Sequence, residues 1–194
     1  MNTYGGLEIK PPKGGIQMAV VINLFGGPGA GKSTTMARLF ADLKSKGINC
    51  EMVSEFAKDL VYENRMDTMK DELYIFAKQN HRLFRVKDKV DVIITDRPLL
   101  LTCVYDSLYG GNDPALHDLV RKTFKAYNNV NIFLDNRNIP YKENEGRLQS
   151  EEEANSIGYF IREELESSGE SFIEVETNNY DYIYKYVSLV LKLT

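Results

Sequence analysis

The residues Gly26 to Ser33, with the sequence GGPGAGKS, form the motif with the clearest chemical meaning. They match the pattern GxxxxGK[ST], in which a glycine-rich loop turns its backbone N–H groups toward phosphate oxygens. In such a loop Lys32 reaches the β- and γ-phosphates and acts in catalysis, and the Ser33 hydroxyl contacts Mg²⁺. The motif predicts a site for ATP and Mg²⁺, and the alternative is a glycine-rich turn without a ligand. The residues predicted to contact the nucleotide are Gly27, Pro28, Gly29, Ala30, Gly31, Lys32, Ser33 and Thr34.

A first candidate for the acceptor side is Glu55, which lies in the stretch VSEFAKD directly after a predicted strand. A carboxylate at the end of such a strand can accept a proton from a hydroxyl group or orient an acceptor. The alternative is an acidic residue in the first turn of a helix, where the macrodipole stabilises it. We predict a catalytic role for Glu55.

Asp96 and Arg97 follow the next predicted strand in the stretch TDRP. A carboxylate at this position is typical of Mg²⁺ binding in proteins with a phosphate-binding loop, so Ser33 and Asp96 are the predicted metal residues. The neighbouring Arg97 can contact phosphate. The alternative is that Asp96 caps a helix beginning at Pro98. We predict catalytic roles for Asp96 and Arg97.

The polar, aperiodic segment 136–150 contains Arg137, Lys142 and Arg147 close to Gly146. Such a segment can close over the phosphates, bring an arginine against the developing charge and exclude water. The alternative is a solvated loop whose basic residues pair with nearby glutamates. We predict a lid at about 136–150, with Arg147 as a catalytic residue.

Four further residues are predicted to bind the acceptor. An aromatic ring can stack on a base, and an amide offers both a donor and an acceptor to a base edge. For Phe76, packing in the core is the alternative interpretation. The four residues, three of them on the longest predicted helix, are Phe56, Phe76, Gln79 and Arg82.

Short apolar runs alternate with segments of helical periodicity from residue 18 onward. This alternation predicts a parallel sheet covered by helices on both faces, an α/β three-layer sandwich with a five-stranded parallel sheet. Ligands in such sheets bind beyond the carboxyl ends of the strands, where the motifs above fall. The predicted strands are 18–24, 49–53, 92–95, 130–134 and 172–175, and the predicted helices are 32–46, 56–65, 72–90, 99–109, 114–127, 151–167 and 180–193.

Composition limits the remaining possibilities. The 194 residues fit one domain, here 18–194, preceded by a leader at 1–17 that we expect to be flexible. The net charge of −4 disfavours nucleic acid as a general partner, although a local basic patch at 78–87 leaves DNA open. Cys50 and Cys103 are expected to be buried free thiols, which suits a reducing cytoplasm. Neither a membrane-spanning run nor a signal peptide is expected.

The motifs together resemble the P-loop nucleoside and nucleotide kinase group, in particular small kinases similar to the ribosylnicotinamide kinase domain and their phage relatives. The resemblance rests on GGPGAGKST, SEFAKD, TDRP and ENEGRLQSEEEA, the last resembling the family's lid. It implies a fold of the P-loop NTPase and nucleotide-kinase type and places the loop 177–180, with Asn178, near adenine. It also implies that Glu55 and Asp96 lie near the acceptor hydroxyl, with Arg97 and Arg147 on phosphates.

The predicted function is therefore an ATP- and Mg²⁺-dependent phosphotransferase in the cytoplasm, or in the host cytoplasm if the protein is viral. A nucleoside or a (deoxy)nucleoside monophosphate is the first choice of acceptor. A hydroxymethylated base within phage DNA is the second choice, because the acidic balance disfavours a groove for polynucleotide. The alternative of another class is an ATPase or nucleotide-sensing module that acts on a protein partner.

Overall fold

The computed structural model describes residues 18–136 and 151–193. The predicted leader at 1–17, most of the predicted lid and the predicted catalytic residue Arg147 lie outside the described residues, and these predictions stay untested. Within the described ranges, no helix has both the length and the apolar character needed to cross a membrane.

Five strands form one parallel sheet in the order β2-β3-β1-β4-β5. The central strand, β1, pairs with β3 on one side and β4 on the other. Every residue of β1 and β3 is buried, which explains why these strands are continuously apolar in sequence rather than alternating. The strands are β1 (Val20–Phe25), β2 (Cys50–Val53), β3 (Val92–Thr95), β4 (Asn128–Asp135) and β5 (Phe172–Glu176).

Helices cover both faces of the sheet and complete three layers. They are α1 (Lys32–Ser45), α2 (Ala57–Tyr62), α3 (Glu72–Phe84), α4 (Leu101–Leu108), α5 (Pro114–Lys125), α6 (Glu151–Ser167) and α7 (Tyr180–Val190). One apolar cluster joins the sheet to α3, α4, α5 and α6, and a second joins the opposite face to α1 and α7. Cys50 and Cys103 are buried free thiols on opposite sides of the sheet. The predicted α/β three-layer sandwich with a five-stranded parallel sheet is confirmed.

The helix predicted at 56–65 is shorter in the structure. Asn64 has a φ of 55°, and the N–H of Arg65 donates to the carbonyl of Leu60 at 2.9 Å. The helix ends at Tyr62, just before this left-handed turn. Asparagine tolerates the left-handed conformation better than most residues. A 3₁₀ turn at Thr68–Lys70, which the apolar pattern does not predict, follows before α3.

The helix predicted at 72–90 ends at Phe84. The carbonyl of Lys87 accepts a 2.7 Å hydrogen bond from the N–H of Ala19, so the chain leaves the helix to meet the segment that leads into β1. The buried face of α3 also differs from the predicted one. The helical spacing of Leu73, Phe76, Leu83 and Val86 predicts that these four residues share the buried face, but Leu73 is 57% exposed and Ile75 is buried in its place.

A polar side chain, Asn23, lies in the middle of the central strand and is fully buried. Its Nδ2 donates to the Oδ1 atoms of Asn129 at 2.9 Å and Asn131 at 3.0 Å on β4. Asn131 in turn donates to the carbonyl of Ser171, the residue before β5. Because buried polar groups need partners, these three amides form a connected hydrogen-bonded group that links β1 to β4 and β4 to the residue before β5.

We expect Asn23→Ala to lower the free energy of unfolding by about 1–3 kcal/mol, because it leaves buried amide oxygens on β4 without their donor. Urea denaturation followed by circular dichroism measures this loss. Asn49→Ala is the matched control, since the exposed Asn49 side chain donates to the carbonyl of Lys89 at 3.1 Å. A loss for Asn23→Ala no larger than that of the control would contradict the role given to the buried amides.

Candidate active site

The loop between β1 and α1 follows a path that requires glycine at three positions. Gly26, Gly29 and Gly31 have φ angles of 140°, 82° and 73°, which side chains with a Cβ rarely adopt. A Cβ on Gly31 would also lie 2.7 Å from Cγ2 of Thr177. Since α1 starts at the end of this loop, its first N–H groups have no acceptor within the helix and can bind an anion. The loop thus has the form of a phosphate cradle.

Lys32, the lysine of the motif, lies along this loop. Its Nζ donates to the carbonyl oxygens of Gly26 at 2.7 Å and Gly27 at 3.0 Å. The ammonium group therefore lies where the motif predicts phosphate oxygens. In this structure two carbonyl oxygens of the loop accept its hydrogen bonds.

The carboxylate of Asp96 joins two segments of the site. Ser33 Oγ donates to Asp96 Oδ2 at 2.5 Å, and the backbone N–H of Glu55 donates to Oδ1 at 3.0 Å. Asp96 does not cap the following helix, because α4 begins only at Leu101 with Leu100 at its N-cap. The two predicted metal residues, Ser33 and Asp96, are thus brought together at the carboxyl ends of β1 and β3.

Arg97 points to the other side of the site and is 3% exposed. Its guanidinium donates to Glu55 Oε1 at 3.1 Å and to Glu72 Oε2 at 3.2 Å. It also lies over the ring of Tyr105, 4.4 Å from the centroid, a distance typical of a cation–π contact. The predicted phosphate-contacting arginine therefore has three protein partners in this structure.

The four residues predicted to bind the acceptor lie elsewhere. Phe76 is buried in the core, and Gln79 Oε1 accepts from the N–H of Phe56 at 3.0 Å. Phe56 packs against a small apolar cluster under α2, where Arg82 lies over its ring. Arg82 also donates to the carbonyl of Ser54 and pairs with Asp59. None of the four belongs to the cavity lining described below.

The loop after β5 contacts the phosphate-binding loop. Thr177 Oγ1 donates to the carbonyls of Ala30 and Asp135, both at 3.1 Å. Asn178, predicted near adenine, is the exposed residue that follows Thr177. The structure thus brings the 177–180 loop against the phosphate-binding loop.

A cavity of about 310 Å³ extends from the phosphate-binding loop to the carboxylates around Arg97. Seven of its lining residues belong to the phosphate-binding loop and the start of α1, and four belong to the group around Arg97. The rest come from α2, the 3₁₀ turn, α4 and the residue that follows α4. The lining residues are Pro28, Gly29, Ala30, Gly31, Lys32, Ser33, Thr34, Glu55, Ala57, Lys58, Val61, Met69, Glu72, Arg97, Leu101, Tyr105 and Tyr109.

Sequence reasoning missed the charged and aromatic residues Lys58, Glu72, Tyr105 and Tyr109. A weak signal exists for Glu72, which follows Asp71, an N-cap residue whose side chain accepts from the N–H of Tyr74. An acidic residue in a first helical turn is usually explained by the macrodipole alone, so the pattern does not reveal that Glu72 is buried. Within the described ranges, no cluster of three or more His, Cys, Asp or Glu side chains forms a metal site.

A family described as an AAA domain matches residues 21–181. The chain belongs to this family. The matched range includes the phosphate-binding loop, Glu55, Asp96 and Arg97. Comparison with curated proteins gives no match.

Solved structures resemble this AAA-domain protein in fold. The NadR protein in complex with NR has a TM-score of 0.67 at 18% identity, over 91% of this chain and 53% of that chain. Thymidylate kinase from Ehrlichia chaffeensis has a TM-score of 0.60 at 14% identity, over 91% of this chain and 100% of that chain. The chain thus spans about half the length of the NadR protein. The predicted fold of the P-loop nucleotide-kinase type is confirmed.

Glu72 is the most strongly perturbed carboxyl group of this AAA-domain protein's cavity. Burial away from solvent raises the pKa of Glu72 to about 7, although the guanidinium of Arg97 acts in the opposite direction. The carboxylates of Asp106 and Glu55 also raise the pKa. Desolvation therefore outweighs the ion pair at this position.

This shift predicts a pH dependence of stability. The folded chain holds the Glu72 proton more tightly than the unfolded chain, so this contribution to stability is lost as pH rises from about 4.5 to about 7. Glu72→Gln has no titrating group at this position, so it should not lose this contribution. As pH rises through that range, we expect the unfolding free energy of wild type to fall relative to that of Glu72→Gln by on the order of 2–3 kcal/mol. Urea unfolding at pH 5, 6, 7 and 8 measures it. A constant difference would show that Glu72 is ionised throughout.

The packing of α6 on the phosphate-binding loop gives a second prediction. A Cβ on Gly27 would lie 2.5 Å from the carbonyl oxygen of Ala154, whereas a Cβ on Gly158 would lie 3.8 Å from the N of Gly27. We expect Gly27→Ala to weaken ATP binding at least about tenfold, because the backbone of the loop or of α6 must shift. Gly158→Ala is the matched control and should bind ATP normally, with a slight gain in helix stability. Calorimetric titration with ATP compares the two, and equal affinities would contradict a rigid contact.

Proposed function

We propose that this protein is an ATP- and Mg²⁺-dependent phosphotransferase that acts on a nucleoside or a (deoxy)nucleoside monophosphate. The observation that carries the proposal is the continuous cavity that joins the glycine-rich loop to the Glu55 carboxylate. A donor phosphate on the loop and an acceptor beside Glu55 would share one cavity, which is what in-line transfer requires. The kinase-type fold supports the same reaction class.

The residues present fit ATP and Mg²⁺. The loop has positive φ at Gly29 and Gly31, which lets its backbone approach phosphates closely. The oxygens Ser33 Oγ and Asp96 Oδ2, 2.5 Å apart, are of the hard type that Mg²⁺ prefers, and Mg²⁺ commonly uses one or two protein oxygens together with phosphates. When bound, Mg²⁺ neutralises charge on the transferred group. In this proposal Ser33 and Asp96 hold the metal, and Asn178 lies near the adenine.

Three side chains would act on the reacting atoms. Lys32 would exchange its loop carbonyls for β- and γ-phosphate oxygens and stabilise the negative charge of the transition state. Glu55 would orient the acceptor hydroxyl and take its proton, since its carboxylate lines the cavity and is 28% exposed. Asp96 fixes the backbone of Glu55 through the 3.0 Å hydrogen bond to its N–H. The roles of Arg147 and of a lid at 136–150 stay predictions.

We expect Lys32→Ala and Asp96→Asn each to lower the rate of acceptor-dependent ADP formation by at least about 100-fold, because each removes a charge that faces the phosphates or the metal. The assay couples ADP to NADH oxidation with nucleosides, nucleoside monophosphates, hydroxymethylated DNA and no acceptor. Lys44→Ala and Asp88→Asn, which alter exposed residues of the same types, are the matched controls.

The same assay can refute the proposal. Near wild-type turnover in Asp96→Asn would remove the metal role, and full activity in Lys32→Ala would remove the role of the loop. ADP formation that is equal with and without every acceptor would favour an ATPase acting on a protein partner.

A further inference from the structure

The acceptor end of the cavity has an unusual charge arrangement around Arg97. This guanidinium is buried between two carboxylates, Glu55 at 3.1 Å and Glu72 at 3.2 Å, and lies over the Tyr105 ring. Glu72 is itself 3% exposed, so the pair it forms with Arg97 is shielded from water. The sequence predicts that Arg97 contacts phosphate, but in this structure the carboxylates of Glu55 and Glu72 already compensate its positive charge.

An acceptor phosphate would have to compete with these carboxylates. A phosphate monoester carries close to two negative charges at neutral pH. Contact with Arg97 would require it to approach Glu55 and Glu72 or to displace them, and a displaced buried carboxylate loses its compensating charge. At this end of the cavity the remaining cationic side chain among the described residues is Lys58, on α2. The described charges thus favour an acceptor without a phosphate.

The walls of the same region suit a planar, uncharged group. The rings of Tyr105 and Tyr109 stack with centroids 6.0 Å apart and an interplanar angle of 30°. Together with Met69 they also border a second cavity of about 660 Å³, which reaches Glu152 and Glu153 at the start of α6. Lys70 lines the same cavity, so the two carboxylates there outnumber one lysine. An aromatic wall continues from the reacting carboxylate outward, and the carboxylates at its far end tolerate a positive charge better than a negative one.

We infer that the acceptor is a nucleoside that carries no phosphate and is uncharged or positively charged, and that the Glu55–Arg97–Glu72 group excludes nucleoside monophosphates. This inference rests on the proposed function and narrows it to one substrate class. The base lies against Tyr109, which is 44% exposed, and one sugar hydroxyl lies beside Glu55.

The reaction balances without any further reactant. The acceptor oxygen forms a bond to the γ-phosphorus of ATP while the bond between that phosphorus and the β,γ-bridging oxygen breaks. The hydroxyl proton passes to the Glu55 carboxylate and then to solvent. The products are ADP and a nucleoside monophosphate, which carries the charge that the site disfavours and is therefore released readily.

The decisive experiment compares each nucleoside with its own 5′-monophosphate on the wild-type full-length protein. The pairs are thymidine, uridine, cytidine, adenosine, guanosine and the cationic nicotinamide riboside, each with ATP and Mg²⁺, and the readout is kcat/KM for ADP formation. We expect at least one nucleoside to exceed its monophosphate by on the order of 100-fold, since like charges at a desolvated site discriminate strongly.

The possible results distinguish failure of this inference from failure of the proposed function. If the best monophosphate acceptor equals or exceeds the best nucleoside in kcat/KM, the inference is overturned and the phosphotransferase proposal stays intact. ADP formation that no acceptor of either kind stimulates overturns both.

A variant tests the role of the carboxylates directly. At pH 8, above the pKa of about 7 for Glu72, Glu72→Gln removes one of the two negative charges that compensate Arg97. The ratio of monophosphate to nucleoside kcat/KM should then rise about tenfold or more, mainly through a lower KM for the monophosphate. Glu164→Gln is the matched control, since Glu164 forms a two-point ion pair with Arg121 at 2.8 Å between α5 and α6, outside the cavity lining. If Glu72→Gln is folded, as a cooperative thermal transition would show, and the ratio is unchanged, the inference is contradicted. If the variant does not fold, the comparison of acceptors on the wild-type protein decides.

Discussion

Two consecutive residues at the end of β3 determine how the site is assembled, because both are charged and both are buried. Asp96 faces the phosphate-binding loop and accepts hydrogen bonds from Ser33 Oγ and the Glu55 backbone. Arg97 faces the opposite side and pairs with Glu55 and Glu72. A charged group is stable away from water only when it has partners, so these two side chains require three neighbouring segments to meet around β3. The sheet order β2-β3-β1 supplies that meeting.

The ion pairs of Arg97 with Glu55 and Glu72 position side chains more than they stabilise the fold, because burying charged groups costs free energy. Removing two ions from water is unfavourable, and the attraction between them offsets this only in part. The raised pKa of Glu72 shows the balance, since burial outweighs the nearby guanidinium. Arg97 and Glu72 therefore fix the position of the Glu55 carboxylate at the expense of folding free energy. Active sites commonly hold such perturbed groups.

The sequence predicted the parts of the site that depend on local order. A glycine loop between a buried strand and a helix limits the backbone path, and residues at the carboxyl ends of neighbouring parallel strands meet at one edge of the sheet. The sequence could therefore predict that Ser33 and Asp96 lie close together, as their 2.5 Å hydrogen bond shows, while their role at a metal stays a prediction. Gln79 shows the limit. Its amide was predicted to bind the acceptor, but the N–H of Phe56 uses its oxygen, and Thr95 Oγ1 lies 3.5 Å from its nitrogen. Which polar group a helix residue meets depends on packing between distant segments, and the same is true of Glu72, 25 residues before Arg97.

The described residues before and after the segment 137–150 contact both halves of the site. Before it, the carbonyl of Asp135 accepts from Thr177, whose hydroxyl also donates to Ala30 in the phosphate-binding loop. After it, α6 carries Glu152 and Glu153 at the second cavity and places the carbonyl of Ala154 against Gly27. Because α6 contacts the loop so closely, a shift of this helix would change both the phosphate cradle and the aromatic wall. If the loop binds the donor and the aromatic wall binds the acceptor, as proposed, one helix couples the two binding events without any contact between the ligands.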